Sequence, residues 1–230
     1  MRWFFLAAGA VAAALFIANN AQATVLVQDD FESYGAQVNF AGFDALNATD
    51  GSVDVLQNAG IVATPYGTGL VDLDGSAAGG GYLRTDLFSF QAGDVVTFAF
   101  DYAGNHQGTT DTLMFGFKSP GLFTFKDVTV QRGAVVNTTG SLIGSSFGTS
   151  ASVGALDPWT HVTFSFTAGA AGSLSAYVGT NSNDARGPLI DNFSLGVTRS
   201  AAPEPASWAL MLAGFGGAGA VLRSRRRAPA

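Results

Sequence analysis

The chain has 230 residues but no cysteine, and it is poor in histidine and glutamate. The lack of cysteine excludes disulfides, thiol catalysis and cysteine-ligated metal sites. Histidine occurs only as His106 and His161, and no serine is predicted in the strand–turn–helix setting of a hydrolase nucleophile. A catalytic triad is therefore not expected.

Acidic pairs of the glycosidase type are also poorly supported. Glutamate occurs only as Glu32 and Glu204, so most acidic residues are aspartates. Asp101 with Asp111 or Asp157 would resemble the carboxylate pair of a glycosidase, but any aspartate-rich chain offers such pairs. We predict that the protein is not an enzyme.

Positive charge is scarce in residues 24–202, called the body below. The body has 16 acidic and six basic residues, a formal charge of −10 against −6 for the whole chain. Such a surface repels phosphate backbones, so we expect no nucleic-acid partner. Acidity of this degree is compatible with cation binding or with solubility outside the cell.

The N-terminal end has the features of an export signal. Met1 and Arg2 precede an apolar, uncharged segment over residues 3–18, and Ala21-Gln22-Ala23 fits the small-x-small cleavage rule. We predict a Sec-type signal peptide over residues 1–23, with cleavage between Ala23 and Thr24. An uncleaved N-terminal anchor is the alternative.

The C-terminal end combines a short polar motif, an apolar span and a basic tail. Pro203-Glu204-Pro205 precedes 17 uncharged residues, 206–222. The arginines that follow are Arg223, Arg225, Arg226 and Arg227. As a helix the apolar span would be about 26 Å long, and snorkelling arginines can extend it toward the ~30 Å of a hydrocarbon core. Arginines on one flank only predict a cytoplasmic C-terminus.

This tail resembles the PEP-CTERM sorting signal of Gram-negative bacteria. The matching features are the Pro-Glu-Pro motif, Trp208-Ala209, the small-residue run 214–219 and the terminal arginines. The resemblance implies an exported protein that is anchored in the cytoplasmic membrane by its C-terminal helix and is then processed by an exosortase. Its destination would be the cell surface or the extracellular matrix.

Apolar and polar residues alternate through the body with the period of a β-strand. Val96, Phe98 and Phe100 alternate with polar or small residues, as do Phe164 and its neighbours. The other predicted strands cover residues 25–31, 52–56, 69–73, 81–83, 113–117, 123–130, 174–178 and 189–197. Clusters of Gly, Asn, Asp and Ser separate them. This pattern predicts an all-β fold, a single antiparallel β-sandwich of the jelly-roll type.

These observations predict five segments. They are a signal peptide over residues 1–23, a β-sandwich domain over 24–199, a linker with the Pro-Glu-Pro motif over 200–205, a transmembrane helix over 206–222 and a basic cytoplasmic tail over 223–230.

The body also resembles the galactose-binding-like jelly rolls of carbohydrate-binding modules. The matching segments are Asp30-Phe31-Glu32, residues 71–75, the strand that ends in residues 101–105, Trp159 with the strand after it, and residues 187–195. The resemblance implies that Glu32, in the first strand, and Asp191, in the last, hold a structural calcium ion. First and last strands of jelly rolls commonly lie side by side.

Asp191 is unusual on the residues alone. In an unbroken strand it would share the core-facing side with Leu189, Phe193 and Leu195. A buried carboxylate then requires a cation, a network of donors or a β-bulge that turns it away. The alternative is that Asp191 caps a turn or accepts backbone hydrogen bonds. Asp72-Leu73-Asp74-Gly75 is interpreted as a plain turn rather than a calcium loop, because the other ligands are missing.

Three functions remain open. The first is an exported surface or matrix protein with a non-catalytic body, and the second is a carbohydrate-binding module that acts on exopolysaccharide. The third is a secreted glycan hydrolase or lyase. Sugars could stack on Trp159, Tyr66, Tyr82 or Tyr102, although Trp159 is better interpreted as a core residue at a strand start.

Overall fold

The structure is a computed structural model that describes residues 22–57, 62, 67–77, 79–200, 211–219 and 223. The predicted signal peptide up to residue 21, the Pro-Glu-Pro motif, Tyr66 and the arginines after Arg223 lie outside these residues. The strands belong to one compact unit, residues 21–200, and the helix over residues 211–219 belongs to a second unit.

Thirteen strands make up the described part of the body. They are β1 (Ala23–Asp29), β2 (Leu46–Thr49), β3 (Asp54–Gln57), β4 (Gly69–Asp72), β5 (Tyr82–Thr85), β6 (Phe88–Phe90), β7 (Val95–Ala103), β8 (Asp111–Arg132), β9 (Val135–Thr139), β10 (Leu142–Val153), β11 (Thr160–Ala168), β12 (Gly172–Thr180) and β13 (Leu189–Thr198). All the pairings between them are antiparallel.

The strands form two layers that share β8. The front sheet has the order β2-β5-β12-β8-β10 and uses the first part of β8. The back sheet has the order β8-β11-β7-β13-β4-β3 and uses the second part of β8. β1 pairs with the C-terminal half of β13, so the first and last strands are neighbours as predicted. β8 therefore passes from one layer to the other.

Phenylalanine fills the space between the two sheets. Phe98, Phe100 and Phe164 are fully buried, as the alternation predicts. The rings meet mostly edge to face, for example Phe117 and Phe166 with centroids 5.0 Å apart, which is a preferred geometry for aromatic pairs. The prediction of an antiparallel β-sandwich of the jelly-roll type is confirmed.

Several strand boundaries differ from the prediction. β1 ends at Asp29, because Phe31 has a φ of 56° and starts a turn. Glu32 therefore follows the first strand instead of lying in it. The strands predicted over residues 113–117 and 123–130 are one strand, β8, in which Pro120 continues the extended backbone. β2, β6, β9 and β10 were not predicted, since they are short or rich in Ser, Thr and Gly.

A short helix covers residues 211–219. Within the described ranges, no helix has the length and apolar character needed to cross a membrane. The transmembrane helix over residues 206–222 stays a prediction, because eight of its 17 residues lie outside the described residues.

Candidate functional site

An open cleft lies on the outer face of the front sheet. Its volume is about 870 Å³. Its lining residues come from all five strands of the sheet or the turns beside them: Asp50, Tyr82, Arg84, Met114, Lys118, Ser146, Phe147, Gly148, Thr149, Ser150 and Tyr177. The cleft is thus a property of the sheet face and not of a single loop.

Strand register places the two tyrosines of the cleft next to each other. Tyr82 on β5 pairs with Gly179 on β12, and Tyr177 on β12 pairs with Arg84 on β5. The ring centroids of Tyr82 and Tyr177 are 6.1 Å apart, with the ring planes inclined by 53°. Together they place two neighbouring aromatic rings on the floor of the cleft.

Glycines allow these rings to lie against the sheet. A Cβ atom on Gly179 would be 2.3 Å from Cδ1 of Tyr82, and one on Gly148 would be 2.1 Å from the hydroxyl oxygen of Tyr177. Gly148 pairs with Gly116, which in turn pairs with Tyr177. Any larger residue at these positions would lift the rings from the floor.

Charged groups flank the aromatic floor. Arg84 forms an ion pair with Asp50, with 2.5 Å between Nη2 and Oδ2, and its guanidinium carbon lies 5.4 Å from the centroid of Tyr82. Lys118 is exposed on the other side of Tyr177, and it pairs in register with Ser175 and Ser146. The cleft thus offers flat aromatic rings with hydrogen-bond donors around them.

A second polar group of residues crosses the outer face of the back sheet. Nδ1 of His161 lies 2.8 Å from Oδ1 of Asp101, and the side-chain amide of Asn192 donates to Oδ2 of Asp101 at 3.1 Å. Nε2 of His161 lies 3.3 Å from Oγ1 of Thr163. The histidine side chain is 56% exposed on this open face. The group lies outside the cleft, whose lining contains none of these residues.

Asp191 lies beside this group because of a β-bulge. The register of β13 against β7 shifts between Asp191 and Ser194, and Asn192 has a φ of 51°. Asp191 therefore faces Asp101 on the outer side, whereas Phe193 points into the core. The bulge is one of the three solutions that the sequence left open.

Asp191 is nevertheless fully buried. Its Oδ1 accepts a 2.6 Å hydrogen bond from the backbone N–H of Asn192, while Oδ2 has no hydrogen-bond partner among the described residues. Burial raises the pKa of Asp191 to about 7, and the nearby charges of Glu32, Asp101 and Asp30 act in the same direction. An unpartnered buried carboxylate oxygen next to other carboxylates is compatible with a bound cation.

Glu32 is already engaged with the backbone. Its Oε1 accepts hydrogen bonds from the N–H groups of Thr68 at 2.7 Å and Gly69 at 2.8 Å, and its Oε2 accepts one from the Thr68 hydroxyl at 3.1 Å. The Gly69 bond is the main cause that lowers the pKa of Glu32. In the described part of the chain, no group of three or more His, Cys, Asp or Glu residues has metal-binding geometry. A calcium ion here would need backbone carbonyls as further ligands.

Asp72 and Asp74 hold a loop. Oδ1 of Asp72 accepts from the N–H groups of Asp74 and Gly187, at 2.9 and 2.8 Å. Oδ2 of Asp74 accepts from the N–H groups of Asp184 and Ala185, at 2.8 and 2.9 Å. The two carboxylates thus fix the turn that leads into β13.

The other aromatic candidates lie elsewhere. Tyr102 is only 8% exposed and belongs to the main core. Trp159 packs against a smaller apolar cluster around Leu70 and Leu189, as expected for a core residue. Of the described tyrosines named in advance, Tyr82 alone lines the cleft. Tyr177 was missed, although an aromatic residue on the polar side of a strand, next to Ser173 and Ser175, was a usable signal.

The remaining acidic and histidine candidates have separate partners. Asp111 accepts a hydrogen bond from the Ser182 hydroxyl, and Asp157 accepts one from the N–H of Gly154. Asp101 is engaged with His161, whereas His106 lies in a loop with a φ of 60°.

Known structures with a similar arrangement include sugar-binding domains. The CBM22-1 xylan-binding domain from Paenibacillus barcinonensis Xyn10C is 14% identical, with a TM-score of 0.47, and the match covers 80% of this chain and 100% of that domain. TmCBM61, solved with β-1,4-galactotriose, is 12% identical, with a TM-score of 0.41 and coverages of 71% and 99%. The K1 cleaved adhesin domain of Lys-gingipain from Porphyromonas gingivalis W83 is 16% identical, with a TM-score of 0.44 and coverages of 77% and 99%.

Sequence identities this low do not allow a function to be transferred from one protein to another. A comparison with curated proteins found no match. Residues 201–227 match the model of the PEP-CTERM protein-sorting motif. The chain therefore carries the PEP-CTERM sorting motif of exported proteins.

Proposed function

We propose that this exported protein is a non-catalytic glycan-binding protein of the cell surface or extracellular matrix. The observation that supports this most is the pair of tyrosines, Tyr82 and Tyr177, on the floor of the front-sheet cleft. Sugar rings have apolar faces and hydroxyl edges. Flat aromatic rings bordered by Arg84, Lys118 and serines offer matching apolar contact and hydrogen bonding.

The shape of the cleft favours a polymer over a free monosaccharide. Its lining extends across the sheet from Asp50, next to β2, to Ser150 on β10. A groove of about 870 Å³ can accommodate several sugar units side by side. Exopolysaccharide is the polymer that an exported protein of this kind would meet first.

Catalysis at the cleft is not supported. Asp50 is the one acidic residue among the described residues that line it, and it is paired with Arg84. Hydrolysis of a glycosidic bond usually requires two carboxyl groups on opposite sides of the bond. The alternatives remain a surface protein without a glycan ligand and a secreted glycan hydrolase or lyase.

A glycan array probed with the exported chain distinguishes the three functions: glycan binding, a surface protein without a glycan ligand, and a glycan hydrolase or lyase. Binding to one class of polysaccharide, lost in Tyr177→Ala and kept in Leu87→Ala, supports the proposal; Leu87 is 59% exposed and lies outside the cleft. Absence of binding to any surface or matrix polysaccharide would favour the protein without a ligand. Release of shorter sugars from a bound polymer would identify the hydrolase or lyase.

We further propose that a calcium ion stabilises the body near Glu32 and Asp191. The unpartnered Oδ2 of Asp191 supports this, as do the acidic neighbours, whose charges add to burial in raising the pKa of Asp191. The ion would supply the positive charge that this buried carboxylate lacks, and main-chain carbonyls would complete its shell.

The sorting motif supports a proposal for the route of export. The PEP-CTERM motif implies export to the cell envelope or surface of a Gram-negative bacterium and processing by an exosortase. We propose that residues 206–222 first hold the chain in the cytoplasmic membrane, with the arginines on the cytoplasmic side. Cleavage near Pro203-Glu204-Pro205 would then release the body without its tail.

A further inference from the structure

The free edge of the front sheet is formed by β10. Among the described residues, β10 pairs only with β8, so the backbone groups on its other side have no strand partner. The register is unbroken over residues 146–153, after a bulge between Gly144 and Ser146. A regular strand of eight residues with one unpaired edge is long enough to pair with another strand.

This edge has no chemical protection against pairing. Residues 133–156 contain no charged residue and no proline. Native proteins usually block such edges with lysine, proline, short strands or bulges. Here the bulge at Gly144 protects only the first residues of β10, and residues 146, 148, 150 and 152 are exposed.

The neutrality of the edge contrasts with the rest of the body. The body has a formal charge of −10, so two copies repel each other over most of their surfaces. Contact through residues 146–153 brings no like charges from that segment together. The edge is therefore a place where two acidic copies can approach closely.

We propose that β10 of one chain pairs antiparallel with β10 of a second copy of the same chain. An antiparallel pair of identical strands has a two-fold axis perpendicular to the sheet, which is the usual symmetry of a homodimer. Ala151 and Val153 are already buried against the core of their own chain, so they have little apolar surface left to bury between the copies. The attraction therefore comes from the backbone hydrogen bonds between the two strands. No change in either sandwich is required.

The pairing would join two front sheets of five strands into one sheet of ten. A two-fold axis perpendicular to the sheet keeps both outer faces on the same side, so the two clefts lie next to each other. β10 itself lines the cleft through Ser146, Gly148 and Ser150. This consequence rests on the proposed glycan binding, since adjacent clefts would hold one polymer bivalently; the pairing itself does not.

A cysteine scan tests the pairing directly, because the natural chain has no cysteine. Ser146→Cys, Ser150→Cys and Ser152→Cys are made one at a time in the full chain, purified in mild detergent and oxidised in air. We expect a disulfide-linked dimer at the position nearest the two-fold axis, since a disulfide needs Cα atoms about 4.4–6.8 Å apart. Ser89→Cys, at the exposed position of β6, is the matched control and should stay monomeric.

A charge exchange identifies the partner as a second copy. The position that links best receives Asp in one preparation and Lys in another. Each variant alone should lose the dimer in light scattering, because like charges meet, and mixing the two should restore it. If no β10 position links above the Ser89→Cys control, or if the mixture stays monomeric, the proposal is wrong. Absence of glycan binding by the natural chain, in a preparation where the dimer forms, would instead reject the proposed function alone.

Discussion

Tyr82 lies directly over Gly179, so close that a Cβ atom on the glycine would be 2.3 Å from Cδ1 of the ring. The backbone carbonyl oxygen of Gly81 would lie 2.8 Å from the same Cβ. The ring of Tyr82 therefore packs directly against the backbone at Gly179, where no side chain could fit.

Gly179→Ala tests this relationship. The methyl group has to displace the ring and strain the β5–β12 contact, so we expect lower glycan affinity and a loss of stability of about 1–3 kcal/mol, as for overpacked sites. Chemical denaturation and a binding titration measure the two effects. Gly140→Ala is the control, because nothing lies within 4 Å of its Cβ position. Unchanged affinity in Gly179→Ala would mean that Tyr82 does not need this position to bind glycan.

Tyr177→Ala should weaken glycan binding more than it weakens the fold. The side chain is half-buried on an outer sheet face, outside the main core. Aromatic residues at the centre of an interface typically contribute about 2 kcal/mol, or ~30-fold in Kd. Isothermal titration with the polysaccharide selected by the array gives the Kd. A similar loss in Leu87→Ala would show that the effect is not specific to the cleft.

Calcium should raise the melting temperature of the body. Binding to the native state alone stabilises it by RT ln(1 + [L]/Kd), about 2.7 kcal/mol at 100-fold excess over Kd. At roughly millimolar calcium we expect a rise of several degrees, and magnesium should substitute poorly because it prefers a tighter octahedral shell. Differential scanning fluorimetry with and without a chelator measures it.

Asp191→Ala should abolish this calcium response, while Asp86→Ala, at an exposed carboxylate, should keep it. A calcium response that survives in Asp191→Ala would place the ion elsewhere.

Stability should fall as the pH rises from about 4 to 7. Burial raises the pKa of Asp72 from its ordinary value of 3.8 to about 7. The native state then keeps a proton that the unfolded chain releases, so the free energy of unfolding decreases across this window, by at most about 1.4 kcal/mol per pH unit for one group. Asp191 contributes in the same direction.

Asp72→Asn should flatten this slope. The amide oxygen can still accept from the N–H groups of Asp74 and Gly187, and it does not titrate. Urea unfolding at several pH values between 4.5 and 7.5 gives the slope, with Asp86→Asn as the control. An equal slope in Asp72→Asn and the natural chain would show that Asp72 is ionised in the native state throughout.

The surface form should lack residues 206–230. Mass spectrometry of surface material should find a C-terminus near Pro203-Glu204-Pro205, and recovery of peptides with Arg225 to Arg227 would contradict processing. Replacing Arg223, Arg225, Arg226 and Arg227 with glutamate should disturb the membrane orientation, because the basic flank sets it. A topology reporter fused to the C-terminus measures this, and an unchanged signal would count against the prediction.

The strands that were predicted correctly are those with strict alternation. β7 and β11 place a large apolar residue at every second position, so one face had to be buried. β10 has the sequence LIGSSFGTSASV, in which small residues dilute the period, and it is defined by its pairing with β8. Its existence depends on contacts distant in sequence, which no local pattern encodes.

The site residues show the same limit. The sequence draws attention to Asp191 because the strand alternation places this charged residue on the core-facing side. The bulge at Asn192 resolves that conflict. The cleft was harder to predict, because Tyr177, Gly116 and Gly148 meet only through the register of three strands. A tyrosine on the polar side of a strand therefore indicates a cleft only when the glycines on the neighbouring strands are known.

The strand that leads toward the C-terminal tail, β13, is held on both sides, by β7 and by β1, up to Thr198. Tension applied to the chain after Thr198, along the axis of β13, acts on both ladders in shear. Many hydrogen bonds must then break together, whereas a strand pulled from its side would open one bond at a time. The body should therefore resist a pull from its own C-terminal end, such as the pull it would bear before the proposed cleavage near Pro203-Glu204-Pro205.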